Sequence, residues 1–166
     1  MRFGALVACA LLAACGGAPR SEPEAEDALP AEEALVLPAY PLEADLVALP
    51  LAGPQGEFRF FVDGNSISAG KDGVVRYTLV ARSAAGAHNV SYEGMRCASG
   101  ELRTYALGRG GEWIPAKGGW RALGAGSAQR WHEALYREYF CRLKQPVASR
   151  AAALEALRRK PGLLTD

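Results

Sequence analysis

The amino-acid sequence predicts an α+β domain: an antiparallel sheet of about five strands covered by a C-terminal helix, with a second, peripheral helix. Three observations carry that expectation. Apolar and polar residues alternate in short runs between Glu57 and Ile114. Clusters of Gly, Asn and Asp separate these runs so closely that no crossover helix fits between them, which favours antiparallel neighbours. Beyond Ser127 the apolar spacing changes from every second residue to the helical period.

The first run, Glu57 to Asp63, puts Phe58, Phe60 and Val62 on one side and Arg59 and Phe61 on the other, and Asp63-Gly64-Asn65 supplies turn chemistry. Gly73 to Arg82 follows, with Val75, Tyr77, Leu79 and Ala81 opposite Arg76, Thr78 and Arg82. His88 to Cys97 is the third strand and Leu102 to Leu107 the fourth. After the Gly108-Arg109-Gly110-Gly111 turn, Glu112-Trp113-Ile114 is a short fifth, which Pro115 ends or holds at an edge. Ser127 is a candidate cap for a helix whose stripe comprises Trp131, His132, Leu135, Tyr136, Tyr139, Phe140 and Leu143. Pro146 closes it, and Ser149 caps a second helix, Arg150 to Lys160, stopped by Pro161-Gly162.

The N-terminal third has a different character. Met1-Arg2 precedes an apolar or small run, Gly4 to Ala14, that is too short to span a bilayer and suits a secretory signal. Leu12-Ala13-Ala14-Cys15 resembles the bacterial lipobox, which implies cleavage before Cys15 and lipidation of Cys15. Residues 1–14 are then the signal peptide. By the same resemblance, Gly16 in place of Asp after the cysteine favours the outer membrane, with the protein facing the periplasm. Residues 15–56 read as an acidic Pro/Ala/Glu-rich tether: residues 21–57 contain nine carboxylates and no Lys or Arg. Such a stretch cannot close a core and is expected to be largely extended, although the apolar part from Leu35 to Leu51 has the character to lie along the domain. Residues 57–145 are then the α+β domain and 146–166 the C-terminal helix and tail.

The whole chain of 166 residues has a formal net charge of +1, which gives no general case for nucleic acid. That neutrality hides a split. Residues 58–166 hold 17 basic and 9 acidic residues, a net +8 against the −9 of residues 21–57. The body is therefore charged to face anionic lipid, glycan or its own tether.

Four cysteines are present. Cys9 leaves with the signal and Cys15 is the lipidation candidate, so Cys97 and Cys141 remain in an oxidising compartment, where two thiols of one small domain most often pair. On an ideal helix Cys141 points away from the apolar stripe, so either the helix ends before it or its back face also meets protein. The competing role, a nucleophilic cysteine beside His88 or His132, requires a free thiolate.

Other motifs fail on chemistry. Gly64 to Asp72 has five residues between its glycines and Asp after Lys71, which denies a phosphate loop its hydroxyl. Asp63-x-Asn65 begins like a calcium loop, but Ser68 and Val74 stand where Gly and Glu belong. Two histidines, His88 and His132, are too few for a metal site, and no cofactor is expected. What remains is a face bearing Tyr77, Tyr92, Glu93, Arg96, Tyr105, Trp113 and Trp120. From it come the candidate binding surface, Arg76, Tyr92, Glu93, Arg96 and His132, and an alternative explanation of the same residues as packing aromatics with a surface ion pair.

With these residues laid out, the chain resembles the bacterial CNP1-like family of exported or lipid-anchored proteins. The resemblance lies in Gly73-Val74-Val75-Arg76-Tyr77, Val90-Ser91-Tyr92-Glu93-Gly94-Met95-Arg96-Cys97, Tyr105-Ala106-Leu107-Gly108, Trp113, Trp120, His132 and Phe140-Cys141. It implies an exported domain with paired cysteines and carries over no catalytic role. The expected protein is a non-enzymatic envelope lipoprotein, held to the membrane by its N-terminal lipid, with an envelope protein, glycan or anionic lipid as candidate partner. The alternative is a periplasmic enzyme acting on a cell-wall or small-molecule substrate, with Glu93 and His132 as acid and base.

Overall fold

The alternating runs form strands close to where the periodicity puts them. A computed structural model describes residues 29–49, 51, 58–124 and 130–159. The signal peptide, Cys15, the Ser127 cap and the Pro161-Gly162 stop lie outside these residues. Among the described residues, seven strands form one antiparallel sheet. They are β1 Leu46–Ala48, β2 Phe58–Ala69, β3 Val74–Ser83, β4 His88–Arg96, β5 Glu101–Arg109, β6 Glu112–Pro115 and β7 Arg121–Ala122. The order is β1-β2-β3-β4-β5-β6, with β7 also pairing to β5 beside β6. The two strands beyond the expected five are short, with no alternation to reveal them.

The Asp63-Gly64-Asn65 turn is instead an irregularity inside one long strand. The register of β2 against β3 shifts between Asp63 and Ser68. There the Asn65 amide donates to Asp63 Oδ1 at 2.9 Å, so the side chain satisfies a backbone group released by the shift.

One face of the sheet carries the main core. Val75, Tyr77, Leu79, Met95 and Leu102 pack there against Leu135, Phe140, Ala153 and Leu157 from the C-terminal helices. Helix α1, Arg130–Ala134, continues as a π-helical stretch, Leu135–Phe140. The wider winding is visible in the bond from the Cys141 amide to the Tyr136 carbonyl, 2.9 Å long and five residues back. Cys141 itself leaves helical geometry, with φ −129° and ψ 41°. The helix thus ends before Cys141, and the cysteine turns inward to form a disulfide with Cys97, Cα–Cα 5.0 Å. Both cysteines are buried.

Two expectations about this region change. Leu143 belongs to no apolar stripe: it lies in a short 3₁₀ turn, Arg142–Lys144, at φ 53° and is 95% exposed. Helix α2, Arg150–Arg158, is not peripheral, because Ala153 and Leu157 are buried in the main core. Ser149 caps it as the sequence predicts, accepting from the Ala152 amide. No described helix is long and apolar enough to cross a membrane.

The opposite face of the sheet is covered by the acidic segment. Residues 29–42 run as an extended strap, then a 3₁₀ turn, Glu43–Asp45, leads into β1. This part of the expected tether is docked on the body, and residues 46–48 belong to the sheet. Beneath the strap lies a second apolar cluster of Tyr92, Tyr105 and Ala106 with Trp113 and Trp120 against it.

Candidate functional site

The five residues expected to share one exposed surface do not share one. Alternation along β3 and β4 sends Arg76 and Tyr92 to the strap side and Glu93 to the helix side, where it meets His132. Arg76, Tyr92, Glu93 and His132 are all buried, and Arg96 is partly so. The expectation underestimated cover: the strap lies over one face and the helix over the other.

On the helix side, the Glu93 carboxylate is fully engaged. Its Oε2 accepts from Tyr77 Oη at 2.9 Å and pairs with His132 Nε2 at 2.8 Å, while Oε1 accepts from Ser91 Oγ at 2.7 Å. Burial works against ionisation here. The charge and hydrogen bond of His132, with the Ser91 and Tyr77 hydroxyls, outweigh it and hold the carboxyl below its ordinary range. The same environment pushes the Tyr77 phenol well up. This network ties three strand residues to α1. Glu93 and His132 are within reach of each other, as acid–base chemistry needs, but neither lines the cleft at Tyr40 and Pro41 or the one beside Tyr136.

On the strap side, charge and aromaticity converge on a residue the sequence reading did not single out. Glu32 is held by Arg103 Nη1 at 2.9 Å, Tyr105 Oη at 2.7 Å and Trp120 Nε1 at 3.1 Å, with Arg76 Nη2 at 3.9 Å. Partial burial opposes its ionisation, yet the Tyr105 and Trp120 hydrogen bonds and the two guanidinium charges prevail and hold its carboxyl low. Beside it, the Glu33 amide donates to Asp72 Oδ2 at 2.9 Å, and Glu33 Oε1 accepts from the Lys71 amide at 2.8 Å. Asp72 in turn receives the Arg76 guanidinium in a fork, at 3.2 and 2.5 Å. Arg96 stacks over Trp120, 4.1 Å from the ring centroid, and donates to Glu101 at 3.0 Å.

Further along the strap, Trp113 Nε1 donates to the Pro38 carbonyl at 2.9 Å, and the Tyr40 ring lies 5.2 Å from that of Trp113. Gly108 makes room for Tyr40: a Cβ there would come within 2.6 Å of its hydroxyl. Gly94 similarly admits the Tyr105 ring, which a Cβ would meet at 2.7 Å. Glu43 closes the strap with an ion pair to Arg82. The signal for these contacts was present in the sequence as the opposed charges of the two segments, but not as pairings.

The described residues form open clefts. One of about 670 Å³ begins at Tyr40 and Pro41 and is walled by Val90, Leu107 and Ile114, with His88 and Arg109 also lining it. Another, about 480 Å³, lies between Gly100, Leu123, Tyr136 and Leu143. No group of three or more His, Cys, Asp or Glu side chains suited to a metal occurs among the described residues.

No curated protein and no solved structure matches the chain. The CNP1-like family matches residues 25–158, a span that takes in the strap, the whole sheet, the disulfide and α2. By that match the chain belongs to the CNP1-like family.

Proposed function

We propose that the chain is a bacterial envelope lipoprotein whose folded part is a non-catalytic binding or structural module. The observation that carries this reading is the buried Cys97–Cys141 disulfide, a bond that persists in an oxidising compartment and not in the reducing cytosol. It agrees with the signal-like run and lipobox resemblance ending at Cys15. In this reading, diacylated Cys15 anchors the mature chain to the outer membrane on its periplasmic side, and residues between Cys15 and the strap join anchor to body. The non-catalytic part is supported by Glu93 and His132, whose bonds to each other, Tyr77 and Ser91 serve to fix α1 on the sheet.

The test is fractionation of cells expressing Cys15→Ser. Loss of the protein from the membrane fraction, with the disulfide still formed, is the expected result. Unchanged membrane recovery would overturn the anchor.

A further inference from the structure

We propose that the strap side of the sheet is a receptor groove for extended acidic peptides, occupied in cis by residues 29–42 as a built-in copy of its ligand. The proposal rests on the reading of the body as a binding module and is independent of the lipid anchor.

The groove already holds a peptide, and the contacts show what it selects. The body supplies Arg103, Tyr105, Trp120 and the nearby Arg76, and the strap supplies one carboxylate, that of Glu32. Arginine with aromatic N–H and O–H donors is the chemistry by which acidic motifs are captured. Among the described residues, the buried Nε atoms of Arg76 and Arg103 have no acceptor. Two further contacts engage main chain: Asp72 takes the Glu33 amide, and Trp113 donates to the Pro38 carbonyl. Any extended peptide presents such groups at that spacing. An aromatic residue at the Tyr40 position then fits over Gly108, where a side chain would block it.

The strap is also replaceable. Its middle contributes little to holding it, since Leu35, Val36 and Leu37 are 43%, 78% and 38% exposed. Its hold therefore comes from a few polar contacts and the Tyr40 ring, helped by the high effective concentration of a ligand on the same chain. Weakening one anchor shifts that competition toward a peptide in trans.

The experiment uses the full-length oxidised chain, as wild type and as Glu32→Gln, with a fluorescent peptide of residues 29–45 as probe. Anisotropy is expected to show the peptide binding Glu32→Gln about ten-fold or more tighter than wild type. A peptide carrying the same Glu-to-Gln change should bind Glu32→Gln about ten-fold weaker than the unsubstituted peptide, the loss of one charge-assisted contact. Deuterium exchange at residues 31–40 of the wild-type chain supplies a readout without a variant: excess unlabelled peptide should accelerate it. The groove is overturned if the two peptides bind alike, if neither binds, or if strap exchange is unmoved by saturating peptide. That failure leaves the binding-module reading to its own test, in-cell crosslinking through the intact chain, which fails if no envelope component is captured.

Discussion

Replacing Glu93 separates a structural carboxylate from a bystander, because two substitutions at the same atom positions have very different predicted costs. In Glu93→Gln a carbonyl oxygen still accepts from Tyr77 and His132, and the new amide faces Ser91, whose hydroxyl can rotate to accept. Only the charge is lost, so three charge-assisted bonds become neutral ones and the carboxylate's desolvation cost disappears with them. The net expected loss is about 1–2 kcal/mol. In Glu93→Ala the Tyr77 hydroxyl and the His132 Nε2 position, both buried, lose their shared partner. Each orphaned group costs about 1–3 kcal/mol, so with two of them a loss near 4 kcal/mol is expected. The assay is urea unfolding at pH 7 with the disulfide intact, followed by tryptophan emission and accepted where the m-value is unchanged. A cycle with His132→Ala should return a coupling of about 2 kcal/mol. If Ala and Gln differ by less than about 1 kcal/mol, the network does not hold the helix to the sheet and the structural role assigned to Glu93 is wrong.

Three other outcomes follow from the same geometry. Replacing Cys97 and Cys141 together by Ala opens a loop of sequence separation 44 and should cost about 4 kcal/mol in denaturant unfolding; a loss under 1 kcal/mol would contradict the stabilising role of the bond. Acid should release the strap: partners overcome burial to hold the Glu32 and Asp72 carboxyls below their ordinary values near 4.5 and 3.8, so their stabilisation is complete above those values and is lost as pH falls through the depressed ones. Trp113 and Trp120 emission should therefore shift on acidification below about pH 4.5, and Glu32→Gln should remove part of that change, whereas an identical acid transition in both proteins would count against it; Asp63, which burial pushes up, acts in the opposite sense. Leu143→Gly should stabilise by about 0.5 kcal/mol, since it relieves a left-handed backbone and removes an almost wholly exposed side chain; a loss of more than 1 kcal/mol on unfolding would contradict that.

The central strands were legible because each has alternation and flanking turn residues, and β3 and β4 begin and end within a residue or two of the expected points. Helix α2 was legible in extent but not in depth. Ala153 is small, and Gly64 allows Leu154 to approach so closely that a Cβ there would be 2.9 Å from it, so a weakly apolar helix reaches the core. The Cys141 puzzle needed a change of winding that periodicity assumes away: the π-helical turn and the non-helical backbone of Cys141 re-aim the sulfur. The strap was the least visible feature. Its contacts join residues 38 to 88 positions apart, one polar atom at a time, and repeat at no interval. Composition identified its charge and the charge of the body, and stopped short of which carboxylate meets which arginine.

The outer strands of the sheet have a consequence for a chain in a crowded compartment. Its long strands β2 to β5 lie inside, while β1 has three residues and β6 four, the last of them Pro115, which has no amide to donate. At β1 and β6 themselves other proteins therefore find only stubs of unpaired main chain to add a strand to, although β1 pairs with no more of β2 than Phe61 to Asp63. An association through either of these two short strands is therefore left to side chains rather than to added backbone.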